Sequence, residues 1–199
     1  MSSVPLMIKI CGITRREDAE AAVAAGATAL GFIFVSSSPR YVDPHQAAAL
    51  ASGLNVWKVG VFVDEPAASV RAIADAAKLD IVQLYQGDAP DGIRTWRAFR
   101  GTKEAPATID KAQIAGAEAV LLDGPSNGKG FDWATARDAS QNGSVKVIVA
   151  GGLNIANVAE AIRIARPWGI DASSSLETSP GIKDHNKIRQ FIRAAKEAA

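Results

Sequence analysis

Apolar, often β-branched runs alternate with alanine-rich segments of helical periodicity from one end of the chain to the other. A strict alternation of strand and helix implies a parallel sheet with helices packed outside it. Eight such units can be counted, so we predict an α/β fold in which the sheet closes into a (βα)₈ TIM barrel. The 199 residues contain no low-complexity linker, and residues 1–199 are therefore predicted to form one compact domain.

The apolar runs and the segments between them predict individual elements. Strands are predicted at Met7–Cys11, Thr28–Val35, Trp57–Val63, Asp80–Tyr85, Arg94–Arg100, Ala119–Leu122, Val145–Ala150 and Gly169–Ala172. Helices are predicted to begin near Arg15, Asp43, Pro66, Ile109, Asp132, Asn154 and Asp184. Residues 86–92 leave room for barely one turn, so the fourth helix is predicted to be shortened or missing. An open doubly wound sheet is the alternative, but it usually carries G-x-G-x-x-G after its first strand, where this chain has Cys-Gly-Ile-Thr.

Composition narrows the classes of function. Hydrophobic residues make up 48% and charged residues 22%, with a net charge of +1, so neither nucleic acid nor a membrane surface is an expected partner. The first residues do not resemble a secretion signal. With one cysteine and two histidines, an intramolecular disulfide is excluded, a metal site is not expected, and the reducing cytoplasm is the predicted location.

Two candidate side chains follow the first two strands, and active sites of such barrels form at the carboxyl ends of strands. Lys9 and Cys11 share one face of the first strand, and a thiol there could act as a base if a cation such as Lys9 lowered its pKa. Arg40 follows a stiff Ser-Ser-Ser-Pro loop and could grip a carboxylate with two hydrogen bonds. The plainer alternatives are a buried structural cysteine and a surface arginine near a helix start.

Further candidates follow the last three strands. Asp123 ends an apolar strand and could serve as a general acid if partly desolvated, although it could equally be a turn aspartate. It precedes a loop, residues 125–130, that is rich enough in glycine to close over a ligand. Gly151 and Gly152, and then Asp171, Ser173, Ser174 and Ser175, form two small-residue turns where barrels of this kind often bind phosphate, with plain tight turns as the alternative.

Eight motifs, taken together, resemble those of the phosphoribosylanthranilate isomerase family. They occur in order along nearly the whole chain, at Lys9–Thr14, Gly31–Phe34, Ser38–Val42, Val59–Val63, Leu121–Asp123, Gly130–Trp133, Ala150–Leu153 and Ser179–Asp184. The cysteine motif and the Ser-Pro-Arg-Tyr motif are the most specific of them.

The resemblance implies a reaction and a set of roles. The reaction is the Amadori rearrangement of N-(5-phosphoribosyl)anthranilate to 1-(2-carboxyphenylamino)-1-deoxyribulose 5-phosphate in tryptophan biosynthesis, an aldose–ketose isomerisation that uses no cofactor or metal. Asp123 would be the general acid, Cys11 the general base, and Arg40 would hold the anthranilate carboxylate. The remaining predicted substrate-binding residues are Lys9, Gln83, Gly151, Gly152, Asp171, Ser173, Ser174 and Ser175, with backbone N–H groups near Gly152, Ser174 and Ser175 holding the phosphate. The expected assembly is a monomer or a homodimer.

The chain departs from the family pattern at four places. Tyr85 stands where a histidine is usual, followed by one inserted residue, Gln86. The fourth helix is short, the loop at residues 126–130 keeps only part of the usual Gly-Thr-Gly-Lys, and Ser175 replaces a common glycine. Two other functions therefore stay open: an isomerase for a related aminoaldose phosphate, which generally pairs two aspartates, and a sugar-phosphate-binding barrel that is inactive or works only in a complex.

Overall fold

Eight parallel strands form a closed barrel in chain order. The computed structural model describes residues 5–101, 114–124, 133–141 and 145–199. The barrel strands are β1 Met7–Cys11, β2 Ala29–Ile33, β3 Trp57–Phe62, β4 Ile81–Leu84, β5 Arg94–Arg100, β6 Ala119–Asp123, β7 Lys146–Ala150 and β8 Gly169–Ala172. Pairing of β1 with β8, in which Ile8 lies opposite Ile170, completes the circle. The predicted TIM barrel is confirmed, and the alternative of an open sheet is wrong.

Six α-helices occur in the described ranges. They are α1 Arg16–Ala25, α2 Pro44–Ala51, α3 Ala67–Ala77, α4 Trp133–Gln141, α5 Val158–Ala165 and α6 His185–Ala198. Residues 85–93, between β4 and β5, contain no helix, so the missing fourth helix is confirmed. Most of the helix predicted around residues 109–115 lies outside the described residues, and so does the loop at residues 125–130.

Local sequence signals explain most of the helix ends. The Asp43 side chain accepts a hydrogen bond from the His45 backbone N–H, at 2.9 Å, and Pro44 occupies the first helical position of α2, where its missing N–H costs nothing. Helix α1 ends at Gly26, whose φ of 106° is left-handed and favours glycine. Asp184 caps α6 by accepting from the backbone N–H groups of Asn186 and Lys187.

Two short features after β8 were not predicted. A 3₁₀ turn, Ser174–Leu176, leads into an antiparallel hairpin of β9 Glu177–Ser179 and β10 Ile182–Lys183. Strands of three and two residues are too short to show an alternating pattern. The helix predicted from Asn154 begins instead at Val158, because the preceding residues form a turn that is held by asparagine side chains.

The strands bury two separate apolar cores. One lies between the barrel and its helices and contains Ile8 and Ile10. The other fills the barrel and contains Met7, Ala29, Val59, Ile81, Trp96, Ala98, Ala119, Leu121, Ile148 and Ala150. Because side chains alternate across a strand, the placement of Ile8 and Ile10 outside directs Lys9 and Cys11 inward, as predicted.

Three tryptophans close the amino end of the barrel. Trp57 stacks on Trp168 with ring centroids 6.1 Å apart, and Trp96 meets both rings edge-on. The Arg94 guanidinium lies 4.6 Å from the centre of the Trp57 ring, and the Lys146 ammonium lies 4.6 Å from that of Trp168.

A single carboxylate joins those two cations. Glu118 accepts two hydrogen bonds from Arg94, at 2.7 and 3.0 Å, and one from Lys146, at 2.8 Å. We call Glu118, Arg94 and Lys146 the basal ion cluster. It braces β5, β6 and β7 at the end of the barrel that is opposite the polar residues described below.

Within the described ranges, none of the helices has the length and apolar character that crossing a membrane would require.

Candidate active site

A cavity of about 320 Å³, which we call the upper cavity, opens at the carboxyl ends of the strands. It is lined by Cys11, Ile33, Val35, Ser38, Arg40, Val61, Val63, Gln83, Tyr85, Arg100, Asp123, Ala150, Gly151, Gly152, Leu153, Asp171, Ala172, Ser173, Ser174 and Ser175. The structure therefore brings together every predicted site residue except Lys9, which lies below the cavity and is fully buried.

A larger cavity, of about 680 Å³, lies at the amino end beside Trp168. It is lined by apolar residues together with Lys146, Arg163 and Arg166, and its lining includes no side-chain carboxylate and no thiol. Of these two cavities, only the one at the carboxyl ends of the strands has side chains that could serve as an acid and a base. Active sites of barrels of this type generally lie at that end.

Cys11 is buried at the floor of the upper cavity. Gly31 on the neighbouring strand makes room for it, because a Cβ at that position would lie 2.7 Å from Sγ. Burial raises the pKa of the Cys11 thiol above its ordinary value, and the nearby Lys9 cation offsets this only in part. The predicted effect of Lys9 is thus present, but it is smaller than the cost of burying a thiolate.

Lys9 forms a buried ion pair with Asp171, with 2.9 Å between Nζ and Oδ2. Burial alone would lower the pKa of Lys9, but the charges of Asp171 and Cys11 raise it above its ordinary value, so Lys9 remains a cation. Lys9 reaches the cavity only through these two neighbours. Lys9 itself is not among the lining residues, and its role in substrate binding stays a prediction.

Two buried polar atoms lack a hydrogen-bond partner among the described residues and belong to side chains of this cavity. They are Oε1 of Gln83 and Oδ1 of Asp171. An unpaired buried acceptor costs about 1–3 kcal/mol. Both oxygens are therefore suited to accept hydrogen bonds from hydroxyl groups of a ligand.

Asp123, at the end of β6, is held by two neighbours on the same oxygen. The Tyr85 hydroxyl donates a hydrogen bond of 2.8 Å to Oδ2, and Nε of Arg100 lies 3.7 Å from the same atom. The Arg100 guanidinium also lies 5.1 Å from the centre of the Tyr85 ring. Burial and the Asp123 charge raise the pKa of Tyr85 far above its ordinary value, so the phenol remains a donor.

Arg40 is held by a carboxylate that sequence reasoning missed. Glu177 on β9 accepts hydrogen bonds from Nε and Nη2 of Arg40, at 2.8 and 2.7 Å, and another from Nζ of Lys183, at 2.8 Å. Burial alone would raise the pKa of Glu177, but these hydrogen bonds hold it below its ordinary value. The Glu177 pair occupies one edge of the guanidinium, and the Nη1 edge retains donors for a ligand carboxylate.

The hairpin of β9 and β10 is fixed to helix α1 close to the ion pairs of Glu177 with Arg40 and Lys183. Asp18 in α1 is fully buried and accepts hydrogen bonds from Arg15 and from the backbone N–H of Lys183. Gly12, directly after Cys11, leaves space for the Arg40 side chain, since a Cβ there would lie 2.6 Å from Cδ of Arg40. The Cys-Gly pair is thus explained by packing as well as by chemistry.

Two small-residue turns, after β7 and β8, also line the cavity. Gly151 has a φ of 81°, and a Cβ there would lie 2.1 Å from the backbone nitrogen of Gly124, so no other residue fits. The side-chain amides of Asn154 and Asn157 both donate to the carbonyl of Gly152, at 3.2 and 3.1 Å. These two asparagines fix the turn and were missed because a helix was predicted over them.

Both turns offer backbone N–H donors to a ligand. Among the described residues, no acceptor pairs with the backbone N–H groups of Gly152, Ser174 or Ser175. Ser175 does not have a positive φ, so serine replaces the usual glycine without backbone strain. The described part of the chain contains no cluster of three His, Cys, Asp or Glu side chains suited to a metal ion.

A family model for N-(5'-phosphoribosyl)anthranilate (PRA) isomerase matches residues 8–194. The chain belongs to this family. The predictions of the family, of the fold and of an isomerase in tryptophan biosynthesis are thereby confirmed, whereas the roles of individual residues stay predictions.

Individual members of the PRA isomerase family align over nearly the full length. The N-(5'-phosphoribosyl)anthranilate isomerase of Solibacter usitatus is 45% identical over 205 residues, covering 97% of this chain and 98% of the relative. The enzyme of Pelobacter propionicus is 43% identical, covering 96% of each chain.

Solved structures agree with the fold. The phosphoribosyl anthranilate isomerase of Thermus thermophilus is 33% identical, with a TM-score of 0.84 over 98% of this chain and 100% of that one. A phosphoribosyl anthranilate isomerase in complex with reduced 1-(o-carboxyphenylamino)-1-deoxyribulose 5-phosphate is 33% identical, with a TM-score of 0.81 over 97% of this chain and 100% of that one. A structure of mutually generated monomers of the dimeric phosphoribosylanthranilate isomerase from Thermotoga maritima gives the same values.

Proposed function

We propose that the upper cavity carries out the isomerisation of N-(5'-phosphoribosyl)anthranilate, with Asp123 as general acid and Cys11 as general base. The single observation that supports this assignment is that a carboxyl on β6 and a thiol on β1 line the same cavity of about 320 Å³, together with Arg40. An acid and a base on different strands can act on two atoms of one substrate without transferring the proton directly to each other.

The steps follow from the needs of the reaction. Asp123 protonates the ring oxygen of the ribose, and the C1′–O bond breaks to give an open-chain iminium ion. Cys11, as thiolate, takes the proton from C2′, and the electrons of that C–H bond neutralise the iminium nitrogen to give an enolamine. Tautomerisation of the enolamine gives the ketone product. No electrons leave the substrate, so no cofactor is needed.

The rest of the cavity supplies binding. Arg40 would hold the anthranilate carboxylate through its Nη1 edge, because Glu177 already uses the other edge. The uncommitted N–H groups of Gly152, Ser174 and Ser175 would hold the phosphate, as backbone donors often do at such turns. Gln83 and Asp171 would accept hydrogen bonds from the sugar hydroxyls.

The assembly and the location are also part of the proposal. The enzyme would act as a monomer or homodimer on a small phosphorylated substrate, without nucleic acid or membrane. A free thiol that serves as base functions in a reducing compartment, so the cytoplasm is the proposed location.

The test is a fluorescence assay of the purified chain with freshly generated phosphoribosylanthranilate. Wild-type turnover that falls by about a thousandfold or more in Cys11→Ala and in Asp123→Asn would support both roles, since loss of a main catalytic group costs about this much. Asp75→Asn is the matched control, because Asp75 is an exposed carboxylate of α3 whose one ion pair within the described ranges is with Arg71.

Each other outcome points to a different function. Absence of turnover by the wild-type chain, with tight binding of a reduced product analogue, would contradict catalysis and favour a binding barrel. Turnover that survives Cys11→Ala would remove the thiol from the mechanism and favour an isomerase that works with two aspartates, Asp123 and Asp171.

A further inference from the structure

Tyr85 occupies a definite place in the barrel although it follows the last residue of β4. Its backbone N–H donates to the carbonyl of Phe62 at 3.1 Å, so the pairing with β3 continues one residue beyond the strand. The inward alternation of Ile81 and Gln83 is therefore kept, and the Tyr85 side chain points into the upper cavity. The insertion of Gln86 comes after this point and does not shift it.

The hydroxyl of Tyr85 meets one particular oxygen of Asp123. It donates to Oδ2 at 2.8 Å, and Nε of Arg100 lies 3.7 Å from the same oxygen. No described residue donates to or accepts from the other oxygen, Oδ1. The two oxygens of this carboxyl are therefore in different surroundings: Oδ2 contacts Tyr85 and Arg100, and Oδ1 has no partner among the described residues.

This difference decides where a proton can reside on Asp123. Protonation of Oδ2 would place an acidic hydrogen beside an O–H donor and a guanidinium, both of which need lone pairs on that oxygen. The proton is therefore carried by Oδ1, the oxygen that is free to meet a ligand. The pKa of Tyr85 lies far above its ordinary value, so the phenol stays protonated at any working pH. It therefore continues to donate to Oδ2 and leaves the Asp123 proton on Oδ1.

We infer that Tyr85 is a positioning residue for the reaction, which orients the Asp123 carboxyl and keeps its proton on the oxygen that faces the substrate. Arg100 supports it from outside, because its guanidinium contacts both the Tyr85 ring and the same carboxylate oxygen. The tyrosine at this position thus serves to orient the Asp123 carboxyl. This inference rests on the proposed role of Asp123 as acid.

The test compares Tyr85→Phe with Tyr41→Phe in the same isomerase assay. Tyr85→Phe keeps the ring and removes only the hydroxyl, and Tyr41 is the chain's other tyrosine, 45% exposed and absent from the cavity lining. We expect kcat of Tyr85→Phe to fall by about 10- to 100-fold, the usual effect of one hydrogen bond to a charged group. KM should change by less than about twofold, because the substrate contacts remain, and Tyr41→Phe should match the wild type.

Two further measurements separate positioning from packing. The solvent deuterium isotope effect on kcat should increase in Tyr85→Phe, because proton delivery becomes more strongly rate-limiting. Removal of the hydroxyl in an Asp123→Asn background should change the residual rate by less than about twofold, since residues that act as a unit are non-additive.

The outcomes that oppose the inference are distinct. Unchanged kcat in Tyr85→Phe, with an active wild type, would overturn the inference and leave the proposed function standing. A loss of kcat that repeats in full in the Asp123→Asn background, or that comes with a lowered Tm and no change in isotope effect, would show a packing role and overturn it too. An inactive wild type would overturn both proposals.

Discussion

Replacement of Glu118 by Gln is expected to destabilise the protein without affecting its catalysis. Glu118 lies in the basal ion cluster, at the end of the barrel that is opposite the upper cavity, and links Arg94 of β5 to Lys146 of β7. Glutamine keeps the shape and removes the charge. The variant therefore isolates what the carboxylate contributes to folding.

The magnitude follows from the pKa of Glu118. Hydrogen bonds from Arg94, and then from Lys146, lower this pKa from 4.5 to about 2. The lowering from 4.5 to about 2 corresponds to roughly 3.4 kcal/mol, at about 1.36 kcal/mol for each pKa unit. The side chain is 25% exposed, and exposed ion pairs contribute at most about 1 kcal/mol. Screening therefore reduces the expected loss to about 1–2 kcal/mol, which lowers Tm by about 3–6 °C in a chain of this size.

The dependence on pH gives the sharper test. Because the folded-state pKa is depressed, the contribution of Glu118 is complete above its unfolded-state value near 4.5 and is lost as the pH falls towards 2. The difference in the free energy of unfolding between wild type and Glu118→Gln, from urea titrations, should be constant near pH 7 and shrink below pH 4.5. Other carboxylates titrate in both proteins and cancel in this difference.

Glu20→Gln is the matched control. Glu20 forms one ion pair with Arg16 on the surface of α1, and its side chain is 54% exposed, so we expect a loss of at most about 0.5 kcal/mol. The reasoning is refuted if the two variants lose the same stability at pH 7, or if the difference for Glu118 does not change between pH 7 and pH 3.

Three further predictions concern the upper cavity. Glu177→Gln should raise KM more than it lowers kcat, because Arg40 loses its charged partner; equal effects on both would refute this role. Gly151→Ala should greatly reduce soluble, active protein, since its Cβ would collide with the Gly124 backbone and φ is 81°; a normal Tm and turnover would contradict the geometry. The rate at which Cys11, the only cysteine of the chain, reacts with iodoacetamide should keep rising with pH up to at least the ordinary thiol pKa, because burial raises the pKa of Cys11 and the thiolate is the reactive form; a plateau at pH 6–7 would show that the thiolate forms more easily.

The sequence predicted the barrel well because its signals are local. Apolar runs bounded by turn residues located every barrel strand, and the bounds of β1, β5 and β8 are those predicted. The carboxyl-end rule for barrels then reduced the search for a site to a few junctions, and Cys11, Arg40 and Asp123 do line one cavity.

Features that depend on contacts across the sequence could not be predicted. Glu177 lies 137 residues from Arg40, and nothing near it in the chain indicates that it would be buried between Arg40 and Lys183. Likewise, Tyr85 was seen only as a departure from a family pattern. Its contact with Asp123 depends on how β4 and β6 are placed around the barrel, which no local pattern records.

The three tryptophans at the amino end have a consequence for protons at the other end. Because Trp57, Trp96 and Trp168 fill the base of the barrel, the described residues leave its interior open at one end only, the mouth at the upper cavity. A ligand bound in that mouth separates Cys11 from bulk water. A proton taken up by the thiol therefore cannot exchange with solvent while the ligand stays bound. Where Cys11 returns this proton to C1′ as the enolamine becomes the ketone, the carbon-bound deuterium in product formed in heavy water reports how often the mouth opens before the transfer. The pKa of the thiol would have little effect on that amount of deuterium.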